Sequence, residues 1–381
     1  MVTINIDPPQ PVDGMRFGSH LAMSRCGRIL AVGSDGLWSK DHNVFQIDLY
    51  ELHGEERVKH LQQITVKLPT IFPVTEVGGM ALSEHGSTLV VSVGGNIITY
   101  SNFTQSTTWN VRQFYSLVKP WSRIRNWKVS CNTNGTICTA TPTCLFRTES
   151  GSGPMLSLFK KSNWEVKSRE TTYFPMAGSS ASEELDTCLS DNGKTLLHQS
   201  IVGRGTGEGR RRISTSRRDG GGEWLYDQSC NVPSGDPWPG RSGPGIALSG
   251  NGKVAYALDT GPALFKMKVS RQKTTARIRC TLPTYAYTGM LGCSVDGRFV
   301  FLGYTAPKGG SFTNNILYGE IDEQDPEATP FKTLTSFPGY SGSKQEFVVD
   351  RNGATIVVSD RHHGVEGHQY GRVHLHLTNR L

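Results

Sequence analysis

Two stretches of the sequence concentrate side chains able to do chemistry. The first is Asp360-Arg361-His362-His363-Gly364-Val365-Glu366-Gly367-His368, followed by His374 and His376. Imidazoles beside carboxylates are the donors zinc takes, and near neutral pH they also form an acid–base pair. His362, His363 and His368 are the metal-ligand candidates, while His374 and His376 alternate so as to share one face of a strand. All of these groups come from one segment, with no second set of ligands elsewhere. A polar His-rich loop is the plainer reading, and no cofactor is expected.

The second stretch holds Arg204, Arg210, Arg211, Arg212, Arg217 and Arg218. Glu208 alone offsets them, so this segment carries most of the chain's net charge of +7. Guanidinium groups grip phosphate, sulfate and carboxylate with paired N–H donors, so an acidic protein or an anionic glycan is the ligand class that fits. The plainer reading is a solvated loop. No aromatic stacking pattern accompanies the arginines, which argues against nucleic acid.

Other chemistries lack their signatures. No Ser-His-Asp order, phosphate loop or dinucleotide fingerprint sits in a strand-turn-helix context. The eight cysteines include no C-x-x-C pair, so free thiols are expected, with Cys131 and Cys138 or Cys144 the one tempting disulfide. Trp109, Trp164 and Trp224 occupy similar positions in their segments, where packing between repeats is expected and sugar stacking is the alternative. Trp238, in a Pro-rich turn, reads as an ordinary structured loop. The sequons at Asn102 and Asn134 would matter only in a secreted chain.

The elements that must position these groups follow from composition and periodicity. The chain has 381 residues, 43 of them glycine, against about 27 expected at the average usage of about 7%. Without a collagen period, that excess points to many tight turns and an all-β protein. No apolar run reaches the length of a membrane-spanning helix, and the N-terminus lacks the pattern of a signal peptide. A soluble intracellular protein is the default expectation.

One unit recurs: an apolar strand, a Ser- or Asn-rich turn ending in glycine, and a second apolar strand. Its turn glycines are Gly27, Gly86, Gly135, Gly193, Gly252, Gly297 and Gly353, spaced 45 to 59 residues apart, and five of them follow Asn or Asp. Such dipeptides mark hairpins because both residues tolerate positive φ. A third strand follows each hairpin, as in Val44–Tyr50, Arg212–Ser216 and Arg372–Leu377, and usually a fourth. Four strands per 40–60-residue repeat predict a single seven-bladed β-propeller over residues 1–381. The last repeat supplies three strands and a lone strand, Val2–Ile6, precedes the first, so the N-terminal strand is expected to close the ring. The longest loops between second and third strands are expected at residues 33–43, 203–211, 304–314 and 359–371, all on one face.

The segment from Phe17-Gly18 to Val32-Gly33 resembles the FG-GAP-like propeller repeats related to integrin α-subunit heads, and the Ser-x-Asn/Asp-Gly turn is similar to that of WD40-type blades. The calcium loop of FG-GAP repeats and the WD dipeptide are both missing, so the resemblance implies a fold and no metal site. Arg217-Arg-Asp219-Gly-Gly-Gly-Glu-Trp224 is similar to the Asp-box of sialidase propellers, a structural turn, with Arg217 where that motif has Ser. No sialidase arginine triad accompanies it. The expected function is a non-catalytic scaffold mediating protein–protein contacts as a subunit of a larger assembly. The alternatives are a carbohydrate- or polyanion-binding propeller, and a hydrolase or lactonase with its site at the channel mouth.

Overall fold

The structure is a computed structural model. It describes residues 2–38, 43–53, 57–68, 77–93, 96–102, 108–116, 127–142, 155–162, 165–173, 182–202, 210–218, 224–232, 245–258, 263–269, 273–279, 287–309, 311–326, 329–339, 346–365 and 368–378. Every sheet is antiparallel. Sheet 1 comprises Arg16–Met23, Ile29–Trp38, Asn43–His53 and Arg57–Leu68, paired in that order. Sheet 2 comprises Val77–Leu82, Thr88–Val93, Asn96–Ser101 and Asn110–Ser116, and sheet 3 comprises Trp127–Cys131, Ile137–Pro142, Met155–Ser162 and Glu165–Tyr173. Sheet 4 is Ser182–Leu189, Thr195–Val202, Arg210–Arg218 and Trp224–Val232. Sheet 5 is Ile246–Leu248, Val254–Leu258, Ala263–Lys268 and Lys273–Arg279, and sheet 6 is Tyr287–Cys293, Phe299–Lys308, Ser311–Glu320 and Lys332–Gly339.

These six are unbroken meanders of consecutive strands. A further sheet, sheet 7, is composite: Phe347–Val349, Thr355–Asp360 and Arg372–Leu377 take Val2–Ile6 as their fourth strand. Its register runs from Val2 opposite Leu377 to Ile6 opposite Val373. The count of seven like repeats read from the turns thus resolves into six contiguous blades and one composite sheet. The chain forms two compact units, one of residues 1–143, 157–171 and 346–381, the other of residues 144–156 and 172–345. Sheets 1, 2, 7 and most of sheet 3 lie in the first, and sheets 4, 5 and 6 in the second.

The turn motif explains its own sequence. In sheet 4 the Asn192 side chain accepts from Ser190 Oγ and Lys194 N, both at 2.9 Å, while Ser190 Oγ accepts from Thr195 N at 2.9 Å. Sheet 5 repeats this with Ser249, Asn251, Lys253 and Val254, and sheet 6 with Ser294, Asp296, Arg298 and Phe299. The polar residue therefore satisfies backbone donors that the tight turn would otherwise leave unpaired.

The turns also bind one another. In the first unit Arg351 N donates to Arg25 O (2.8 Å), Cys26 N to Glu84 O (3.1 Å), and Glu84 N to Thr133 O (2.7 Å). In the second, Asp191 N donates to Gly250 O (2.8 Å) and Asn251 N to Val295 O (3.1 Å). Each unit thus carries a belt of backbone hydrogen bonds from turn to turn. The glycine at the turn lets this belt close. Gly86 has φ of 69°, and a Cβ there would stand 2.5 Å from Ile29 Cγ1 in the neighbouring sheet.

The core lies between neighbouring sheets of each unit. Ile47, Leu49, Ile64 and Val66 of sheet 1 meet Met80, Leu89 and Val91 of sheet 2. Tyr256 and Leu258 of sheet 5 meet Leu291, Val300 and Leu302 of sheet 6. Tyr256 is fully buried and donates to Gly297 O across to the sheet 6 turn at 2.5 Å. Trp109 fulfils the packing role expected of it: it is buried among sheet 1 and sheet 2 side chains. Its amide donates to Gln62 Oε1 at 2.6 Å. The side chain of Trp224, and all of Trp164 and Trp238, lie outside the described residues.

Several expected loops are strands. The described residues of 304–314 belong to a long ribbon, because Phe299–Lys308 pairs with Ser311–Glu320 down to Lys308 opposite Ser311. Polar side chains pair across this ribbon, as Thr305 Oγ1 does in donating to Asn314 Oδ1 at 2.7 Å, which is why a polar stretch reads as loop yet folds as strand. Residues 33–38 likewise extend the second strand of sheet 1, and Gly364–Val365 with His368–Gln369 make a two-stranded hairpin inside the expected 359–371 loop.

Candidate functional site

The arginine-rich segment is a strand flanked by residues that are not described. Arg204 lies outside the described residues. Arg210, Arg211 and Arg212 open the third strand of sheet 4, opposite Val202, Ile201 and Ser200; Arg212 is in the strand as expected, whereas Arg210 and Arg211 are not in the loop expected at 203–211. Their side chains are not among those described. Arg217 and Arg218 close the same strand, Arg217 exposed and Arg218 half-buried. At about 3.3 Å per residue, Arg211 and Arg217 stand about 20 Å apart along the strand. The run in sequence is therefore two groups at opposite ends of one sheet. Between them Ile213, Ser214, Thr215 and Ser216 are buried. The Asp-box-like Asp219–Glu223 lies outside the described residues.

The histidine segment is drawn into sheet 7. His363 Nδ1 is 3.8 Å from Asp360 Oδ2, His374 Nε2 is 4.0 Å from the same oxygen, and the His363 ring meets Tyr370 edge-on. His374 Nδ1 contacts Asn5 Oδ1 at 2.9 Å and His376 Nδ1 contacts Thr3 Oγ1 at 3.1 Å, so both imidazoles tie the N-terminal strand to Arg372–Leu377. Arg372 adds two bonds to Asp7, at 2.6 and 3.1 Å. Among the described residues no group of three His, Cys, Asp or Glu side chains is arranged to hold a metal. The His368 side chain is outside those described. Burial and the cationic Arg361 next to it hold His362 below the ordinary imidazole range, against the pull of Asp360. Burial, then the nearby Arg372, does the same to His363. His376 is pushed down to about 4 by burial and by His374. The His376 ring is therefore a neutral hydrogen-bonding partner of Thr3 at neutral pH.

A second polar cluster was not apparent in the sequence. Glu346, just before the first strand of sheet 7, accepts from Leu21 N at 3.1 Å through Oε2, and its Oε1 is 3.5 Å from His20 Nδ1. Burial raises this carboxyl, but the charge and hydrogen bond of His20, the field of Lys128 and the Leu21 amide together hold it below the ordinary carboxylate value. Nearby, Arg16 grips Asp35 with two contacts, at 2.8 and 3.0 Å. Arg361 is lowered by burial, and the fields of Glu346 and Asp35 oppose that shift. In sheet 1, Asp48 is fully buried and accepts from His60 at 2.9 Å and Gln63 at 3.2 Å; burial lifts its pKa despite both bonds. Glu346 and its partners come from distant segments, so no local spacing betrays them.

The turn rim has a signal that superposing the repeats on their glycines would have revealed. The residue after the glycine and the last residues of the third strand meet at each rim. In sheet 1 these are Arg28 and Glu51, 3.4 Å apart, and in sheet 6 Arg298 and Glu320, 2.5 Å apart. Arg351 of sheet 7 reaches Glu84 of sheet 2 at 2.9 Å. Cys26, Cys131, Cys138, Cys188 and Cys293 are not joined in disulfides. Cys131 and Cys138 face each other in register across the first hairpin of sheet 3.

The fold and these internally paired clusters define an all-β protein of repeated four-stranded sheets. Comparison with solved structures makes this a β-propeller. The chain is similar to the β-propeller domain of Cps50 (Swd1) from Myceliophteria thermophila, at a TM-score of 0.61 and 12% identity, over 99% of this chain and 100% of that one. It is also similar to a chain of the mitotic checkpoint complex, at a TM-score of 0.58 and 10% identity, covering 98% of this chain and 94% of that one. No protein-family model matches the chain, and no curated protein matches it in sequence.

Proposed function

We propose that this propeller is a non-catalytic scaffold that binds protein partners as a subunit of a larger assembly. The observation that carries the reading is the end-to-end likeness to a chain of the mitotic checkpoint complex, a propeller that works inside an assembly. The polar clusters agree with it. Arg16–Asp35 and Arg372–Asp7 pair within sheets 1 and 7, and His20–Glu346 joins those two sheets. A rigid frame with varied rims suits docking, since its surfaces need no rearrangement to bind.

The test is size-exclusion chromatography with light scattering on native extract and on purified protein, with co-eluting chains identified by mass spectrometry. A stoichiometric complex is expected. A monomer in both samples refutes the scaffold reading and redirects the search to glycan and metal binding.

A further inference from the structure

We propose that Cys131 and Cys138 are a modification site: a cross-strand dithiol that a low-molecular-weight disulfide, such as oxidised glutathione, closes reversibly into an intramolecular disulfide. Cys131 ends the first strand of sheet 3 and Cys138 stands near the start of the second, directly opposite in the register. Asn132 N donates to Ile137 O at 3.0 Å, so Asn132 and Ile137 form a hydrogen-bonded pair beside the turn. Pairs alternate in an antiparallel ladder. The next pair, Cys131 with Cys138, is therefore of the non-hydrogen-bonded kind, with Cα atoms about 4.5 Å apart and side chains at their closest. That spacing falls within the span of about 4.4–6.8 Å that a disulfide bridges.

The hairpin is fixed before any bond forms. Asn132 Oδ1 accepts from Thr136 N and Ile137 N, both at 2.9 Å, and Gly135 N donates to Asn132 O at 3.0 Å. Sheet 2 grips the same turn from outside. Glu84 N donates to Thr133 O at 2.7 Å, and Gly135 lies so close to Thr88 that a Cβ would stand 2.7 Å from it. The fold has thus already met the entropic cost of bringing the two sulfurs together. Cysteines in other strands face different residues: Cys188 stands opposite Leu197, Cys230 opposite Ile213 and Cys293 opposite Val300.

Access sets the order of the steps. Cys131 is half-buried, whereas Cys138 is 5% exposed. The Cys131 thiolate attacks one sulfur of glutathione disulfide, forming a mixed disulfide and releasing one glutathione thiolate. Cys138, deprotonated, then attacks Cys131 Sγ, and the second glutathione thiolate leaves. The two protein thiols give up two protons and two electrons, and the glutathione sulfurs take both to become two thiols. Excess reduced glutathione runs the same steps backwards. The loop closed is short, so the bond adds less stability than a long-range disulfide and stays within reach of a thiol reductant.

The test maps thiols in the folded, full-length chain. Protein freed of reductant is incubated in glutathione buffers from wholly reduced to wholly oxidised, quenched in acid, unfolded and alkylated. The tryptic peptide Val129–Arg147 holds Cys131, Cys138 and Cys144, so tandem mass spectrometry reads all three on one fragment. In oxidised glutathione, labelling of Cys131 and Cys138 is expected to fall together by about 10-fold or more while Cys144 stays labelled. Dithiothreitol should restore both. Cys138→Ser should stop at a glutathione adduct on Cys131, and Cys131→Ser should leave Cys138 labelled and without an adduct. Circular dichroism shows whether each variant is folded, and the wild-type map stands without them.

The same incubation in urea is the control, because the unfolded chain offers its thiols to one another without the register. Preferential pairing of Cys131 with Cys138 in the folded chain supports the site. Full labelling of both thiols in the folded chain overturns it, as does a bond to Cys144 or a pattern identical in urea. Glutathione retained on Cys131 of wild type, with Cys138 still labelled, overturns it too, since the register then fails to bring the second thiol to the first.

Discussion

Replacing Gly86 by alanine tests whether the sheets are held together through their turns. Two costs arise there. The residue has φ of 69°, and a Cβ would meet Ile29 Cγ1 at 2.5 Å and Ile29 Cβ at 2.6 Å. An L-residue in the left-handed region costs about 1–2 kcal/mol, and overfilling a packed site adds about 1–3 kcal/mol. Gly309, at the tip of the sheet 6 ribbon, separates the two. Its φ is 57° and a Cβ there meets nothing within 4 Å. Alanine also stiffens the unfolded chain by about 0.4–1 kcal/mol, a gain common to both sites that cancels in the comparison.

Gly86→Ala should therefore destabilise by about 2–4 kcal/mol and Gly309→Ala by about 1 kcal/mol. Urea unfolding of wild type and both variants gives the values, with an unchanged slope showing that the same surface is exposed. In the background of Ile29→Ala, which removes Cγ1, part of the Gly86→Ala cost should disappear. Equal losses at Gly86 and Gly309, or no coupling to Ile29, would show that the turn glycine serves its own backbone and not the contact between sheets.

Three further outcomes are expected. Asp48→Ala should destabilise by about 2 kcal/mol, because His60 and Gln63 lose their acceptor; Asp48→Asn, which keeps an acceptor oxygen without a buried charge, should cost less, as urea midpoints would show. Deleting Val2–Ile6 should expose the edge of Arg372–Leu377 and cause self-association visible by light scattering. His376 titrates normally near 6.5 when unfolded but at about 4 when folded, so the unfolded chain binds the extra proton between those values. Stability should fall as pH drops through that window, by about 3 kcal/mol at its lower end, and the difference between wild type and His376→Gln should become independent of pH above pH 7.

The repeat was legible in sequence because each turn is a local solution: Ser, Asn and Gly satisfy a backbone within six residues, so their spacing survives as text. The third strand Arg372–Leu377 and the pairing partner of Val2–Ile6 followed from the same counting. What escaped was non-local or two-sided. The polar ribbon at 304–314 read as loop because its Thr and Asn pair with each other across strands, a contact that hydropathy does not register. Glu346 and His20 are joined across more than three hundred residues, and only the closeness of sheets 7 and 1 brings them together. The arginine run misled in the opposite sense. Adjacency in sequence suggested a patch, but a strand separates its ends instead of gathering them.

The rims show how diverged repeats can keep one fold and still present different surfaces. The belt of turn-to-turn bonds uses backbone atoms and glycine, so it places no demand on the residue after the glycine or on the end of the third strand. Those positions can vary without loosening the frame. In sheets 1 and 6 they hold Arg28 with Glu51 and Arg298 with Glu320, pairs exposed enough to add little stability. In sheets 4 and 5 the same places hold Lys194 with Arg217 and Lys253 with Lys268. An exposed ion pair contributes so little that a change of residue at these places is inexpensive for folding. The frame thus leaves sequence drift to positions where a change of charge costs folding little.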